Sequence, residues 1–169
     1  VLAIVHSNDS REKIVAAQKE EGCFFDVAAC DVTDTAAVDS LTHKIPSSAL
    51  MIYAVSSGGG GAEAYAKIYR DGMRRLLEAW QPHRVIFVSS TSVYAQISGE
   101  EVTELSPTEP ERETSRILLE AEKIALAANG IVARFSGIYG PNRSVLLKKF
   151  LSGEAILENK GERFINQIH

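Results

Sequence analysis

Cysteine, positive charge and long apolar runs are all scarce in this chain, and each scarcity removes a class of protein. Two cysteines in 169 residues make no disulfide framework, and a chain long enough for one apolar core needs none. Cys23 and Cys30 are therefore expected as buried free thiols. Lysine and arginine total 18 against 22 acids, a net charge of −4. The basic excess that phosphate-backbone binding requires is missing, so nucleic acid is not an expected partner. No apolar segment reaches the ~20 residues that cross a bilayer, and the first residues lack the basic, apolar and small-residue order of a secretion signal. A cytoplasmic address without a membrane partner is the expectation, and no metal is expected. The chain starts directly on VLAIV and stops on FINQIH, which predicts a piece of a longer protein, truncated at both ends.

What is present is an ordinary globular composition, 45% apolar and 24% charged, patterned as one domain over residues 1–169. Apolar runs rich in β-branched and aromatic residues predict strands at Val1–Val5, Cys23–Ala28, Leu50–Val55, Arg84–Ser89 and Ile131–Phe135. Their nearly unbroken apolar character predicts burial on both faces. Between them, Tyr65, Tyr69, Met73, Leu76, Leu77 and Trp80 recur at helical spacing within Gly61–Gln81. Ile117, Leu118, Ala121, Ile124, Ala125 and Ala128 do the same in a helix that stops at Asn129-Gly130. Asp9 with Glu12 reads as a capping box for the first helix. Apolar strands alternating with such helices predict an α/β fold, a doubly wound parallel sheet of the Rossmann type. Ligands of such sheets sit outside the carboxyl ends of the strands.

The residues that follow each run are small, polar or glycine. They are His6, Ser7 and Asn8; Asp31-Val32-Thr33-Asp34; Ser56 and Ser57 with Gly58 to Gly61; Ser89, Ser90, Thr91 and Ser92; and Ser136 to Pro141. Each has a plain structural reading: the glycines as a loop, Asp31 and Asp34 as turn and cap residues, Gly140-Pro141 as a turn.

In order along the chain, VIFVSSTSVYAQ, the acidic loop with TELSPTEP and ARFSGIYGPNR resemble the extended and atypical short-chain dehydrogenases, the NAD(P)-dependent epimerase and dehydratase superfamily. ACDVTD and YRDGMRRLLEAW add to the resemblance, which spans nearly the whole chain. It implies an NAD(P)-binding protein of the nucleotide-sugar epimerase or dehydratase type, acting on a small hydroxyl or carbonyl substrate. It implies Asp31 and Val32 at the adenine edge and Ala54 and Val55 beside the adenosine and pyrophosphate. Ser90 matches the family's catalytic hydroxyl, with Thr91 beside it, and Phe135, Ser136 and Ile138 border the nicotinamide. Family members pair through helices that here are Gly61–Gln81 and Glu113–Ala128, so a homodimer is the implied assembly.

Two departures limit the resemblance. The family's first strand leads into a glycine-rich loop that cradles pyrophosphate, whereas VLAIV leads into HSNDSREK, which has no glycine. Setting Val1–Val5 on the family's second strand places His6 and Ser7 at the adenosine ribose. A pair without an acid there favours NADP over NAD. That register also leaves an open edge in mid-sheet. The second departure is the missing Tyr-x-x-x-Lys, whose cation stabilises the phenolate and grips the ribose. One register over PERETSRILLEAE sets Arg112 and Arg116 on the two positions, with Arg116 holding a ribose hydroxyl; the other sets Thr114 and Leu118 there. Tyr94 is the phenol left near Ser90. The alternative function is a non-catalytic NAD(P) sensor or scaffold.

Overall fold

In the computed structural model, which describes residues 1–141, 143–157, 159–162 and 165–169, strands and helices alternate as the periodicity predicts. Strand β1 (Leu2–Val5) is followed by α1 (Asn8–Glu21), β2 (Asp26–Ala29), α2 (Thr35–Thr42) and β3 (Leu50–Tyr53). A long helical stretch then runs through α3 (Gly61–Tyr65), a π segment (Ala66–Asp71) and α4 (Gly72–Ala79) into β4 (Arg84–Ser90). After a 3₁₀ turn (Thr91–Val93) come α5 (Glu113–Ala127), β5 (Ile131–Phe135), β6 (Gly137–Ile138), α6 (Val145–Leu151) and β7 (Gln167–Ile168). Phe164, the first residue of the terminal FINQIH, lies outside the described residues.

Among the described residues the strands pair in parallel, as βαβ crossovers require, β1 with β2, β3 with β4, β4 with β5, and β6 with β7, and Gly140 and Arg143 form an isolated antiparallel bridge. The expected sheet is thus an α/β arrangement of parallel strands, built as separate ladders β1-β2 and β3-β4-β5 with a small β6-β7 pair. Between the first two ladders the expected open edge is present. The Asp26 and Cys30 amides donate to the carbonyls of Val1 and Val5. By strand alternation the backbone groups of Leu2 and Ile4 point away from β2. His83 N–H likewise donates to Ala49 O, so those of Leu50 and Ile52 point away from β4. These four side chains are 39%, 42%, 51% and 62% exposed, which corrects the expectation that every strand is buried on both faces.

The second strand begins later than its apolar run suggests. The left-handed Gly22 (φ 68°) ends α1, and Cys23 to Phe25 become the connection, fixed where Gln18 Nε2 donates to Phe25 O at 2.8 Å. Cys23 is exposed rather than buried, whereas Cys30 is buried as expected. Helix α1 starts on Ser7, whose Oγ accepts from Ser10 N at 3.2 Å. The single-residue cap replaces the Asp9–Glu12 capping box, and Asp9 falls in the first turn, where a carboxylate complements the helix dipole. Helix α5 ends on Asn129 in the left-handed region (φ 56°), with Gly130 N–H returning to Ala125 O at 2.9 Å.

One core joins the two ladders: Cys30, Val38 and Leu41 pack with Met51, Tyr53, Met73, Val85, Phe87, Val93, Leu118 and Ala121. The joint is at Gly72. The Tyr53 hydroxyl, at the carboxyl end of β3, donates to Ile68 O at 2.5 Å. Gly72 N–H bonds to Lys67 O five residues back, the hydrogen bond of a π-helix. A Cβ at Gly72 would lie 2.7 Å from Tyr53 Oη and 2.9 Å from Val32 Cγ2, so the residue that ends β3 and one from the turn after β2 meet on this glycine. Ala is intrinsically the better helix former by about 1 kcal/mol, yet Gly72→Ala is expected to destabilise the fold by about 1–3 kcal/mol through overpacking. Urea unfolding would check the sign.

Candidate functional site at the strand ends

Beyond β1, His6 is exposed and its Nδ1 stands 3.8 Å from Asp31 Oδ2. Ser7 is engaged as the α1 cap. Beyond β2, Asp31 Oδ1 accepts from both the Thr33 amide and its Oγ1 at 2.8 Å, an Asx-type turn. The Thr33 backbone N–H, more than any other neighbour, holds the Asp31 carboxyl below its usual range. Asp34 caps α2 by accepting from Ala36 N and Ala37 N at 2.9 and 3.3 Å. The Val32 carbonyl accepts from Arg75 Nη1, and its side chain packs on the core. Both acids therefore have structural work, and His6 and Asp31 are brought together.

Beyond β3, Ala54 is exposed and Val55 half-buried. Gly58 to Gly61 all have positive φ, 64°, 109°, 89° and 67°, a backbone path that glycine alone follows without strain. That loop opens directly into α3.

Beyond β4, the hydroxyl run divides by strand alternation. Ser90 lies on the half-open side and its Oγ accepts from Ser92 N at 3.1 Å, which starts the 3₁₀ turn. Ser89 points inward and is buried, donating to Glu122 Oε1 at 2.6 Å. Thr91 is half-buried, and Ser92 Oγ lies 3.1 Å from Ser115 Oγ on α5. The register sets Ser89 beside Arg134 and Ser90 beside Phe135, so two expected site residues are ladder neighbours. Phe135 and Ile138 are 38% and 40% exposed, and Ser136 between them is half-buried.

Glu122 and Arg134 form the strongest electrostatic feature at this end. Glu122 is 2% exposed. Arg134 Nη2 donates to its Oε2 at 2.6 Å and Nε to Oε1 at 3.0 Å, the two-pronged geometry that suits guanidinium and carboxylate. The remaining arm, Nη1, donates to Tyr94 Oη at 2.8 Å, and the guanidinium carbon stands 5.0 Å from the Tyr94 ring centre. Glu122 hydrogen bonds, ahead of every other cause, hold Arg134 protonated above its ordinary range. Sequence reasoning missed both residues. The available signal was a carboxylate on the apolar face of α5 (Leu118, Ala121, Ala125) and an arginine inside the apolar run IVARF, two opposite charges each misplaced unless paired.

At the start of α5 neither register presents a phenol. Arg112 precedes the helix without a side-chain cap, and Leu118 is in the core. Arg116 is exposed and its Nε donates to Pro110 O at 3.1 Å. It lines a groove with Ala62, Ala66, Arg70 and Glu120, across which Arg70 Nη1 meets Glu120 Oε2 at 3.0 Å. Among the described residues no group of three or more His, Cys, Asp or Glu could hold a metal, and no helix is long and apolar enough to cross a membrane.

Arg134→Met would strand the Glu122 carboxylate in the core, and removing one partner of a buried pair costs about 3–5 kcal/mol. Arg134→Lys, which keeps the charge but not the fork, is expected to cost less. Chemical denaturation of the two variants beside the parent would check the ranking.

A family profile described as "NAD dependent epimerase/dehydratase family" matches residues 1–168. Protein YeeZ of Escherichia coli K12 is 28% identical over 137 residues, 78% of this chain and 47% of that protein. Among solved structures, one described as a putative NAD-dependent epimerase/dehydratase from Methylobacillus flagellatus superposes with a TM-score of 0.67 at 25% identity, over 99% of this chain and 64% of that one. A short-chain dehydrogenase/reductase superfamily protein from Agrobacterium tumefaciens with bound NAD superposes with a TM-score of 0.59 at 22% identity, over 82% and 50%. The chain spans about half the length of the curated relative it matches.

Proposed function

The chain belongs to the NAD-dependent epimerase/dehydratase family, and from that premise we propose that residues 1–169 form part of an NAD(P)-binding domain that acts on a small hydroxyl or carbonyl substrate. The observation that carries the reading is the convergence at the strand ends. The Gly72 contact draws the end of β3 and the turn after β2 together, and the ladder register sets Ser90 against Phe135. The residues around these ends are small, polar or half-exposed, which suits a ligand that backbone must approach closely.

The fit to a dinucleotide differs along its length. His6, Asp31 and Val32 suit the adenosine end; Ala54, Val55 and the glycine loop suit the middle; Ser90, Thr91, Phe135, Ser136 and Ile138 suit the nicotinamide end. The glycine cradle for pyrophosphate is not supplied by α1, whose first turn is closed by Ser7. We infer that a further parallel strand fits between the free edges of β1 and β3, where Leu2, Ile4, Leu50 and Ile52 are exposed. The turn after such a strand would emerge between His6 and Ala54, the switch point at which doubly wound sheets hold their ligand. The nicotinamide group, when bound, supplies a hydride acceptor or donor. For this chain's own part, Ser90 Oγ would hold a substrate oxygen, and Arg116 is available to a ribose hydroxyl at the cost of its Pro110 contact. Neither His6 nor Ser7, the residues that directly follow β1, is an acid, and on that ground the proposed nucleotide preference leans to NADP.

Loss of the Tyr-x-x-x-Lys pair from the start of α5 favours a second reading, a member that binds the nucleotide as a sensor or scaffold without turning it over. Fluorescence titration of the whole protein with NADPH and NADH tests the common element. Micromolar binding of at least one is expected, tighter for NADPH, and no binding of either would sink the cofactor reading. Where turnover is found, Ser90→Ala is expected to lower kcat by about 10²-fold or more, in line with loss of a group that assists proton transfer. An unchanged kcat would instead favour the sensor.

A further inference from the structure

Arginine can only donate hydrogen bonds. In the Arg134–Tyr94 contact the phenolic oxygen is therefore the acceptor, and the Tyr94 hydroxyl proton is left to be given elsewhere. Tyr94 is half-buried with its ring packed against the core, and among its described contacts Arg134 is the one that holds its oxygen and also lies over its ring. Arg134 is itself immobilised, since Nε and Nη2 are committed to Glu122 and Glu122 is braced from the other side by Ser89. The chain of contacts runs from the core face of α5, through β5, to the residue that closes the 3₁₀ turn four positions after Ser90.

We propose that Arg134 is a positioning residue for Tyr94: anchored on Glu122, it fills the acceptor side of the phenol and leaves the O–H to donate to an oxygen at the nicotinamide end of a bound nucleotide. This rests on the cofactor reading above. A neutral phenol held in this way needs no lysine partner, because it is asked to donate a hydrogen bond rather than to part with its proton. The arrangement therefore differs in kind from the pair missing at the start of α5. The third arm of the guanidinium occupies the oxygen of this phenol and not its proton, and no acceptor for the O–H stands among the described contacts of Tyr94.

The test is tyrosine ¹³Cζ NMR on the whole protein, with NADPH and NADH as probes, the Tyr94 line assigned by its loss in Tyr94→Phe and the buried Tyr53 line as reference. The expected result is a Tyr94 line that moves on saturation with the nucleotide that binds, by clearly more than Tyr53. The response should fall at least twofold in Arg134→Lys and vanish in Arg134→Met. If Arg134→Met does not fold, Glu122→Gln serves in its place, since it removes the charge and one arm of the fork that hold the guanidinium while retaining both donor and phenol, and it too should cut the response at least twofold. A Tyr94 line that stays fixed while nucleotide binds, or that responds equally in parent and variants, would overturn the proposal alone. Failure of both nucleotides to bind in the fluorescence titration would instead overturn the cofactor reading beneath it.

Discussion

A buried carboxylate can be tolerated in a core only if something answers its charge, and the packing of α5 on the β3-β4-β5 ladder is organised around that requirement. Glu122 faces the sheet between Leu118 and Ala125. The sheet replies with Arg134 from β5 and Ser89 from β4, adjacent in the ladder register. Ionic and hydrogen-bond geometry then dictates the rest: a one-residue slip of β5 against β4 would send Arg134 to the opposite face and leave Glu122 unanswered. Apolar contacts around Phe87, Val85 and Ala121 give the cohesion, while the ion pair makes one register the correct one.

The second constraint is steric. The two ladders exchange no backbone bonds with each other among the described residues, so their union depends on side chains and on the absence of one at Gly72. Tyr53 and Val32 close on that glycine from β3 and the turn after β2, and Arg75 adds a bond to the Val32 carbonyl. These contacts cluster at the carboxyl ends, the side on which doubly wound sheets hold their ligands. Among the described residues the edges of β1 and β3 that face away from their ladders carry no such ties.

How much of this could be read from residues alone varies with the kind of interaction. Strand Ile131–Phe135 and the helix Glu113–Ala127 follow directly from apolar period and from the Asn129-Gly130 stop, because both are local signals. The second strand was misplaced because CFFDVA is apolar without being paired: the partner register with β1, not composition, decides which residues extend. Helix α2 is too short for its apolar period to announce it, and Asp34, read with Asp31 as turn and cap, is its cap. Ser90 and Phe135 are expected from motif positions and the ladder sets them side by side, whereas the joining of Glu122, Arg134 and Ser89 is not legible, although Ser89 stands in the hydroxyl run. Each belongs to a different element, and only the fold turns three unremarkable positions into one network.

The π segment at Ala66–Asp71 has a bearing on how this chain is compared with its relatives. A turn closed by a bond to the fifth residue back takes in one residue more than an α-helical turn and shifts everything downstream by about 100° around the axis, and the apolar stripe from Tyr65 to Trp80 is wide enough that Met73 and Leu76 still reach the core. A relative that shortens this stretch by one residue would keep the same core by reverting to a plain helix. The length difference would then fall in the middle of a helix, where alignments seldom place a gap, and Tyr53 and Gly72 would be the two positions expected to change with it.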